Sequence, residues 1–349
     1  MSDFRFTHLH VHSQYSLLDG KASIKELVDA AVADGMHGLA LTDHGNMFGI
    51  KEFYNYVNKV NGGLDDDKKL KPILGCEMYV ARESLLDRKD RGYHLIVLAR
   101  NEKGYHNLIK LVSRATTEGF YYHPRTDKED LARHREGLII CSACLGGEIP
   151  QKILHDDIKG AEEAVIWFKE TFGEDYYIEL QRHKTDKPNA NTETFAEQQK
   201  VNAVLLDLAQ RHGIKVVATN DVHFAKEDDA EAHDRLICIS TQKRYQEPRM
   251  HYTKQEWFKS TDEMRAAFPD LPEALENPRE ILDKIETYSI DHAPIMPNFE
   301  IPAEFGTEEE YRRTISEKEL LDEFTRDENG NVVLSQEEAE KKIKKLGGY

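Results

Sequence analysis

The sequence predicts an α/β protein whose strands and helices alternate and close into a (β/α) barrel. Three observations carry this prediction. Short β-branched runs alternate with longer amphipathic stretches, the pattern of a parallel sheet with crossover helices. Seven such runs fall between Arg5 and Asn220, a density that suits a barrel better than an open doubly wound sheet. Nearly every run ends in a side chain capable of chemistry, as in barrels that gather their sites at the C-terminal strand ends.

The strand candidates are Arg5–His10, Gly38–Thr42, Lys71–Val80, His94–Ala99, Gly137–Ser142, Tyr176–Gln181 and Lys215–Asn220. Between them, apolar spacing predicts helices over Ser23–Met36, Ile50–Val60, Gly104–Thr117, Lys159–Thr171 and Ala190–His212. Ser23 followed by Glu26 reads as a capping box. Gly35 and Gly213 stand where helices end, each just ahead of a strand. One unit breaks the alternation. Ala81–Tyr93 is polar and carries no helical pattern, whereas a parallel crossover usually runs through a helix. The strand starting at His94 is therefore expected antiparallel to Lys71–Val80, which brings His94 to the rim of Glu77. Beyond Phe224 the sequence predicts a helix over Glu227–Ile239, an extended Met250–Lys259, and short helices over Asp262–Ala267 and Glu276–Ile285.

Composition bounds the function. The 349 residues allow one barrel plus a tail, with 64 acidic against 47 basic residues and a net charge of −17. Such a chain does not grip nucleic acid through a broad basic surface. No apolar run approaches the ~18–20 residues of a membrane helix, and the start lacks a signal-peptide core. Four cysteines without a framework fit a reducing cytoplasm. Pro294, Pro297 and Pro302 mark a linker. Ala303–Glu340 holds 13 acidic residues against four basic ones, the composition of a solvated connector. We therefore expect residues 1–297 to form the barrel domain and 298–349 an acidic C-terminal extension. The end, Lys344–Tyr349, reads as a cut in a longer chain.

The 16 histidines stand out. In Thr7-His-Leu-His-Val-His-Ser13, period-2 alternation sends His8, His10 and His12 to one face. A lone strand histidine is usually a satisfied core residue, but apolar barrel packing does not accommodate three. Asp19 follows in a turn that can aim its carboxylate at the mouth. Asp43 and His44 end the second strand pointing oppositely, so one of them enters the site. Glu77 is a carboxylate inside an apolar strand, where an unpaired charge is costly and a metal or cation is expected. His94, Cys144, Asp221 and His223 lie at further strand ends. Cys141-Ser-Ala-Cys144 has no second pair of its kind, which excludes a four-cysteine zinc site. The set is too large for one ion. Clustered divalent metals suit phosphoester cleavage.

On these residues the chain resembles the PHP (polymerase and histidinol phosphatase) family, and within it the N-terminal PHP domains of bacterial DNA polymerase III alpha subunits. The carrying stretches are Phe6–His12, Ser16–Gly20, Leu41–Asn46, Lys71–Gly75, Glu118–Tyr121, Cys144–Glu148 and Ala218–His223. The resemblance implies a distorted seven-stranded TIM-like barrel of PHP type, with its metal site on the C-terminal strand rim. It implies nine metal ligands: His10, His12, Asp19, His44, Glu77, His94, Cys144, Asp221 and His223. His10, His12, Glu77 and Asp221 would hold one ion. Glu77, His94 and Cys144 would hold a second, and Asp19, His44 and His223 a third. Two to three divalent ions are expected, zinc first, with manganese or iron as alternatives.

The implied chemistry is a metal-dependent phosphoesterase acting as a 3′→5′ proofreading exonuclease, with Asp221, His12 and Glu77 as catalytic residues. The implied setting is a cytoplasmic replisome. The partners would be the remainder of an alpha chain carrying the DNA-directed polymerase site, the DNA primer 3′ end and a separate proofreading exonuclease subunit, with no membrane. His8 is expected to hydrogen-bond behind the ligands. Arg125, His123 and His183 are candidates for phosphate or DNA contact. Two other readings remain: a metal-stapled interaction module without catalysis, and a histidinol-phosphate-type phosphatase.

Overall fold

The computed structural model of the protein describes residues 4–295, 307–327 and 330–345. Pro297, Pro302 and residues 346–349 lie outside the described residues. Two compact units divide the chain, Met1–Ile290 and Asp291–Tyr349.

The first unit is the barrel. Its strands are β1 (Gly38–Leu41), β2 (Lys71–Val80), β3 (Tyr93–Ala99), β4 (Arg125–Thr126), β5 (Leu138–Cys141), β6 (Tyr176–Leu180) and β7 (Val216–Ala218). They order β1-β2-β3-β5-β6-β7, with β4 paired to the end of β2. The β1–β2, β5–β6 and β6–β7 pairs are parallel, whereas β3 runs antiparallel to both β2 and β5. The missing crossover helix before His94 thus has the consequence expected of it.

The segment expected as the first strand closes the sheet without forming a continuous ladder. It bridges β1 at His8–Leu39 and the end of β7 at Val11–Val222, parallel in both cases. Ala40 N–H donates to His8 O at 2.9 Å, and Val222 N–H donates to His10 O at 3.1 Å. Thr42 interrupts the ladder, because its Oγ1 takes the Val11 N–H at 2.8 Å.

Helices α1 (Ile24–Ala33), α2 (Ile50–Asn61), α3 (Glu102–Thr117), α4 (Lys128–Arg133), α5 (Glu148–Leu154), α6 (Ile158–Phe172) and α7 (Thr194–His212) follow the strands. The Ser23–Glu26 capping box is present, and Gly213 ends α7 in the left-handed conformation at φ 60°. The last of these starts later than its apolar spacing suggests. Asn191 Oδ1 accepts from the N–H groups of Glu193 and Thr194 and sets that start. The short α4 and α5 carry too few turns to register as a period. Then come α8 (Ala230–Thr241), α9 (Thr261–Ala267) and α10 (Pro272–Lys284). The Met250–Lys259 stretch is irregular, with one bridge from Trp257 to Phe224.

Inside the barrel, Leu9, Ile73, Ile96, Ile139, Tyr177 and Val217 pack with Ile281, Leu282 and Ile285 from the end of α10. Gly38 admits that approach, since a Cβ there would lie 2.3 Å from Leu282 Cδ1. The end opposite the ligand-bearing rim is thereby plugged with apolar side chains, leaving the polar groups at the other.

In the second unit, α11 (Glu308–Thr325) and α12 (Gln336–Lys345) pack on each other. Thr307 caps the first by accepting from Glu310 N–H. No helix among the described residues is long and apolar enough to cross a membrane.

Candidate metal centre

Glu77 is the hub. It sits on β2, fully buried, with Oε1 2.8 Å from His94 Nδ1 and 3.3 Å from His10 Nε2. Its Oε2 contacts His44 Nδ1 and lies 3.8 Å from His12 Nε2. Cys144 Sγ lies 3.6 Å from His94 Nδ1 and 4.0 Å from Glu77 Oε1. Asp221 Oδ1 is 3.1 Å from His10 Nε2 and 3.2 Å from His12 Nε2. Asp19 Oδ2 is 3.1 Å from His44 Nε2 and 3.8 Å from His223 Nε2. All nine residues named from the sequence therefore meet on one rim. Among the described residues, three groups have the spacing to hold an ion: His10–His12–Glu77, Glu77–His94–Cys144 and His12–His44–His223.

The turns that aim these groups are strained. Leu18, Ala143 and Asp221 adopt positive φ of 62°, 64° and 47° without being glycine. They lie before Asp19, before Cys144 and at a ligand itself. Left-handed non-glycine residues persist where surrounding structure over-determines them, often at functional sites.

The donor chemistry fits cations. His10 Nδ1 lies 2.6 Å from Glu179 Oε1, an arrangement that leaves Nε2 to ligate a cation. Burial opposes charge on this ring, but Asp221 and Glu179 outweigh it and hold its pKa well above the ordinary value. Nε2 faces the carboxylates of Glu77 and Asp221 and the Nε2 of His12 at 3.2 Å. Asp221 Oδ1 has no hydrogen bond despite these neighbours and is shielded from solvent. Converging lone pairs around a buried anion call for positive charge. Burial and the neighbouring His44 and His223 push the His12 pKa down to about 3. Burial opposes the charge on Glu77, but His94 and His44 outweigh it and hold the carboxyl well below its usual range.

A second layer orients the ligands. His12 Nδ1 is 3.0 Å from Ser16 Oγ, whose hydroxyl donates to Asp43 Oδ1 at 2.7 Å. So His44 enters the site and its neighbour Asp43 organises the Ser13–Ser16 turn, also accepting from Ser13 N–H at 2.7 Å. Tyr252 donates to Asp19 at 2.9 Å. Sequence reasoning missed Glu179 and Tyr252. Glu179 carried the same signal as Glu77, a carboxylate within an apolar strand. Tyr252 lies in irregular chain and carried none.

Three expectations require correction. His8 does not support a ligand: its Nε2 meets Lys259 O at 2.8 Å, and the role falls to Glu179. Arg125 is fully buried and donates to the carbonyls of Gly119, Asp90 and Leu85 at 3.1, 2.9 and 3.1 Å, and this burial keeps it from a phosphate in solvent. His183 lines a cavity of about 250 Å³ beside Asp221 and Cys144. Both its ring nitrogens are engaged, with Asn220 O and with Gln198 Nε2 at 3.2 Å each. His123 stays half-exposed at the rim, stacked on Tyr79.

Barrel, rim and donor set define a protein of the PHP domain type, and the chain matches that domain over residues 8–183. It belongs to the PHP family. Within that family it is similar to DNA polymerase III subunit alpha of Borreliella burgdorferi, at 44% identity over 315 residues, covering 88% of this chain and 26% of the relative. The corresponding subunit of Treponema pallidum is 42% identical over 332 residues, covering 93% of this chain and 27% of the relative. The chain thus spans about a quarter of the length of the curated relatives it matches. Among solved structures, histidinol phosphate phosphatase from Lactococcus lactis, complexed with zinc, L-histidinol and phosphate, superposes with a TM-score of 0.34 at 14% identity, over 73% of this chain and 99% of that one.

Proposed function

We infer that this chain is the PHP portion of a bacterial DNA polymerase III alpha subunit, and that its rim hydrolyses phosphodiesters from the 3′ end of DNA. The observation that supports this is the clustering of the ligand set: seven of the nine donors fall into three groups with ion-holding spacing, two of which share the buried Glu77, while Asp221 lies 3.1 Å from His10 and Asp19 3.1 Å from His44. Two to three divalent ions are proposed, zinc first and manganese or iron next, because imidazole, carboxylate and thiolate are mixed. Such ions stabilise the attacking and leaving oxygens of an in-line displacement and lower the pKa of water.

The chain's own residues do the rest. Glu77 spans two ligand groups through its two oxygens. Asp221, whose Oδ1 lies 3.1 Å from His10 Nε2 and 3.2 Å from His12 Nε2, would accept the proton of the attacking nucleophile. His12, kept neutral, holds its lone pair toward Asp221. The remainder of the alpha chain supplies polymerisation and presents the primer end, in the cytoplasm at a replisome that includes a separate exonuclease subunit.

The test is a labelled primer incubated with the 349-residue chain and Zn²⁺ or Mn²⁺. Stepwise shortening is expected, lost in His12→Ala and Asp221→Ala; shortening that survives both changes sinks the assignment. The net charge of −17 favours a second reading, a metal staple without catalysis. A chain that melts lower on chelation yet never shortens the primer fits that reading.

A further inference from the structure

The Glu118–Tyr121 stretch, one of those that carry the family resemblance, plays no part in the metal centre. In the structure it opens a tight turn beside the rim. Tyr121 N–H donates to His123 O at 3.0 Å, and Tyr122 stands at the apex with φ 60°. A bulky aromatic residue in the left-handed region is an outlier that needs an external reason. Burial supplies none: the Tyr122 ring meets Tyr121 edge-on at 4.7 Å yet stays 63% exposed, and Phe120 is 57% exposed. The buried Arg125 ties this turn to the Ala81–Tyr93 loop through its three bonds to Gly119, Asp90 and Leu85 carbonyls. That loop brings Arg91, whose guanidinium lies 4.8 Å over the Tyr122 ring. Residues 82–93 hold four basic against three acidic residues, within a chain that is strongly acidic overall.

The turn is continuous with the ligands. His123 stacks on Tyr79 with centroids 4.3 Å apart and an interplanar angle of 18°, and Tyr79 packs edge-on against the ligand His94 at 5.1 Å. Aromatic faces and a guanidinium therefore lead outward from the metal centre to solvent.

We propose that Phe120, Tyr122, His123 and Arg91 form a stacking platform for the unpaired terminal nucleotides of a single-stranded DNA 3′ end. Exposed rings take bases by stacking, which is tolerant of sequence, while a cation beside them takes backbone phosphates. Duplex DNA hides its base faces from such a surface. The platform answers how an acidic chain meets DNA: by rings and one local cation rather than by a basic field. It rests on the phosphodiesterase reading for its substrate, but its test does not require cleavage.

The test is fluorescence anisotropy of a labelled oligothymidine with the 349-residue chain at low salt, no metal added, with blunt duplex as control. Tyr122→Gly removes the ring and also relieves the left-handed strain, so it separates binding from folding. Expected are a roughly ten-fold weaker Kd for Tyr122→Gly, near-native affinity for Tyr122→Phe, and a melting temperature for Tyr122→Gly that does not fall. Arg91→Ala should flatten the salt dependence by a slope of about 0.7. Single-strand affinity unchanged in Tyr122→Gly, or equal affinity for duplex, overturns the platform, as does a wild-type chain without single-strand affinity. Binding that depends on Tyr122 in a chain that never cleaves supports the platform and defeats the nuclease reading alone.

Discussion

His10 Nδ1 and Glu179 Oε1 lie 2.6 Å apart, both side chains fully buried. Thr219 Oγ1 and Gln181 Nε2 donate to the same carboxylate oxygen. A carboxylate behind a metal-binding histidine fixes its tautomer and raises its basicity, and losing such a partner typically costs about 10–100-fold in metal affinity. Glu179→Gln should therefore weaken metal binding by roughly that factor, measured by chelator competition. Unchanged affinity would remove Glu179 from the site.

Metal should also act as a folding ligand. The nine donors pack converging lone pairs and a buried carboxylate at one rim, so the folded chain binds ions that the unfolded chain does not organise. At a free metal concentration of about 1,000 times Kd, the linkage is worth roughly 4 kcal/mol. Chelation is expected to lower the melting temperature by several degrees, and Glu77→Ala should erase the difference between metal-loaded and chelated protein.

Arg125 separates two roles by the kind of loss it causes. As a strut it holds three carbonyls in a buried position, and Arg125→Ala leaves them unpaired at a cost on the order of 3 kcal/mol. Urea denaturation should show a lower midpoint. A DNA contact would instead lose affinity at unchanged stability.

Lys259 provides a pH test away from the ligands. It is 5% exposed, with Nζ 3.5 Å over the Trp257 ring. Burial lowers its pKa from 10.5 to about 7. Between those values the unfolded chain holds a proton that the folded chain has released, so stability from this group rises with pH from about 7 toward 10.5 and is lost as pH falls back through 7. Lys259→Met should be more stable than wild type near pH 7, by an advantage that shrinks at pH 9–10. Thermal melts of the pair across that range decide it; a constant difference would place the amine in a fully solvated setting.

Much of the barrel was legible because its signals are local. The β2 run, the capping box at Ser23 and the glycine that ends α7 each declare themselves within a few residues. The reversal of β3 was legible too, since Ala81–Tyr93 has no helix to make a crossover. Closure of the barrel was less so. Whether His8–Val11 forms a ladder depends on Thr42 Oγ1, distant in sequence, taking the Val11 N–H.

The ligand set was legible mainly in motifs that resemble the PHP family; strand periodicity added His10 and His12 on one face and Glu77 in an apolar run, but it also put His8 with them, and His8 turns to Lys259 O instead. What surrounds it was not. Arg125 reads in sequence as a free cation, and only packing shows three backbone carbonyls around it. His183 reads as a loop residue and proves buried, while Glu179 reads as one more strand position and proves to be the partner of His10. The sequence by itself determined the fold class, which follows from chain-local periodicity, whereas the choice of donors rested on motifs the chain shares with the PHP family. Tertiary structure alone decided which polar groups support them and which rings face solvent, because those depend on contacts between separate elements, some more than a hundred residues apart, as between His10 and Glu179 or Tyr252 and Asp19.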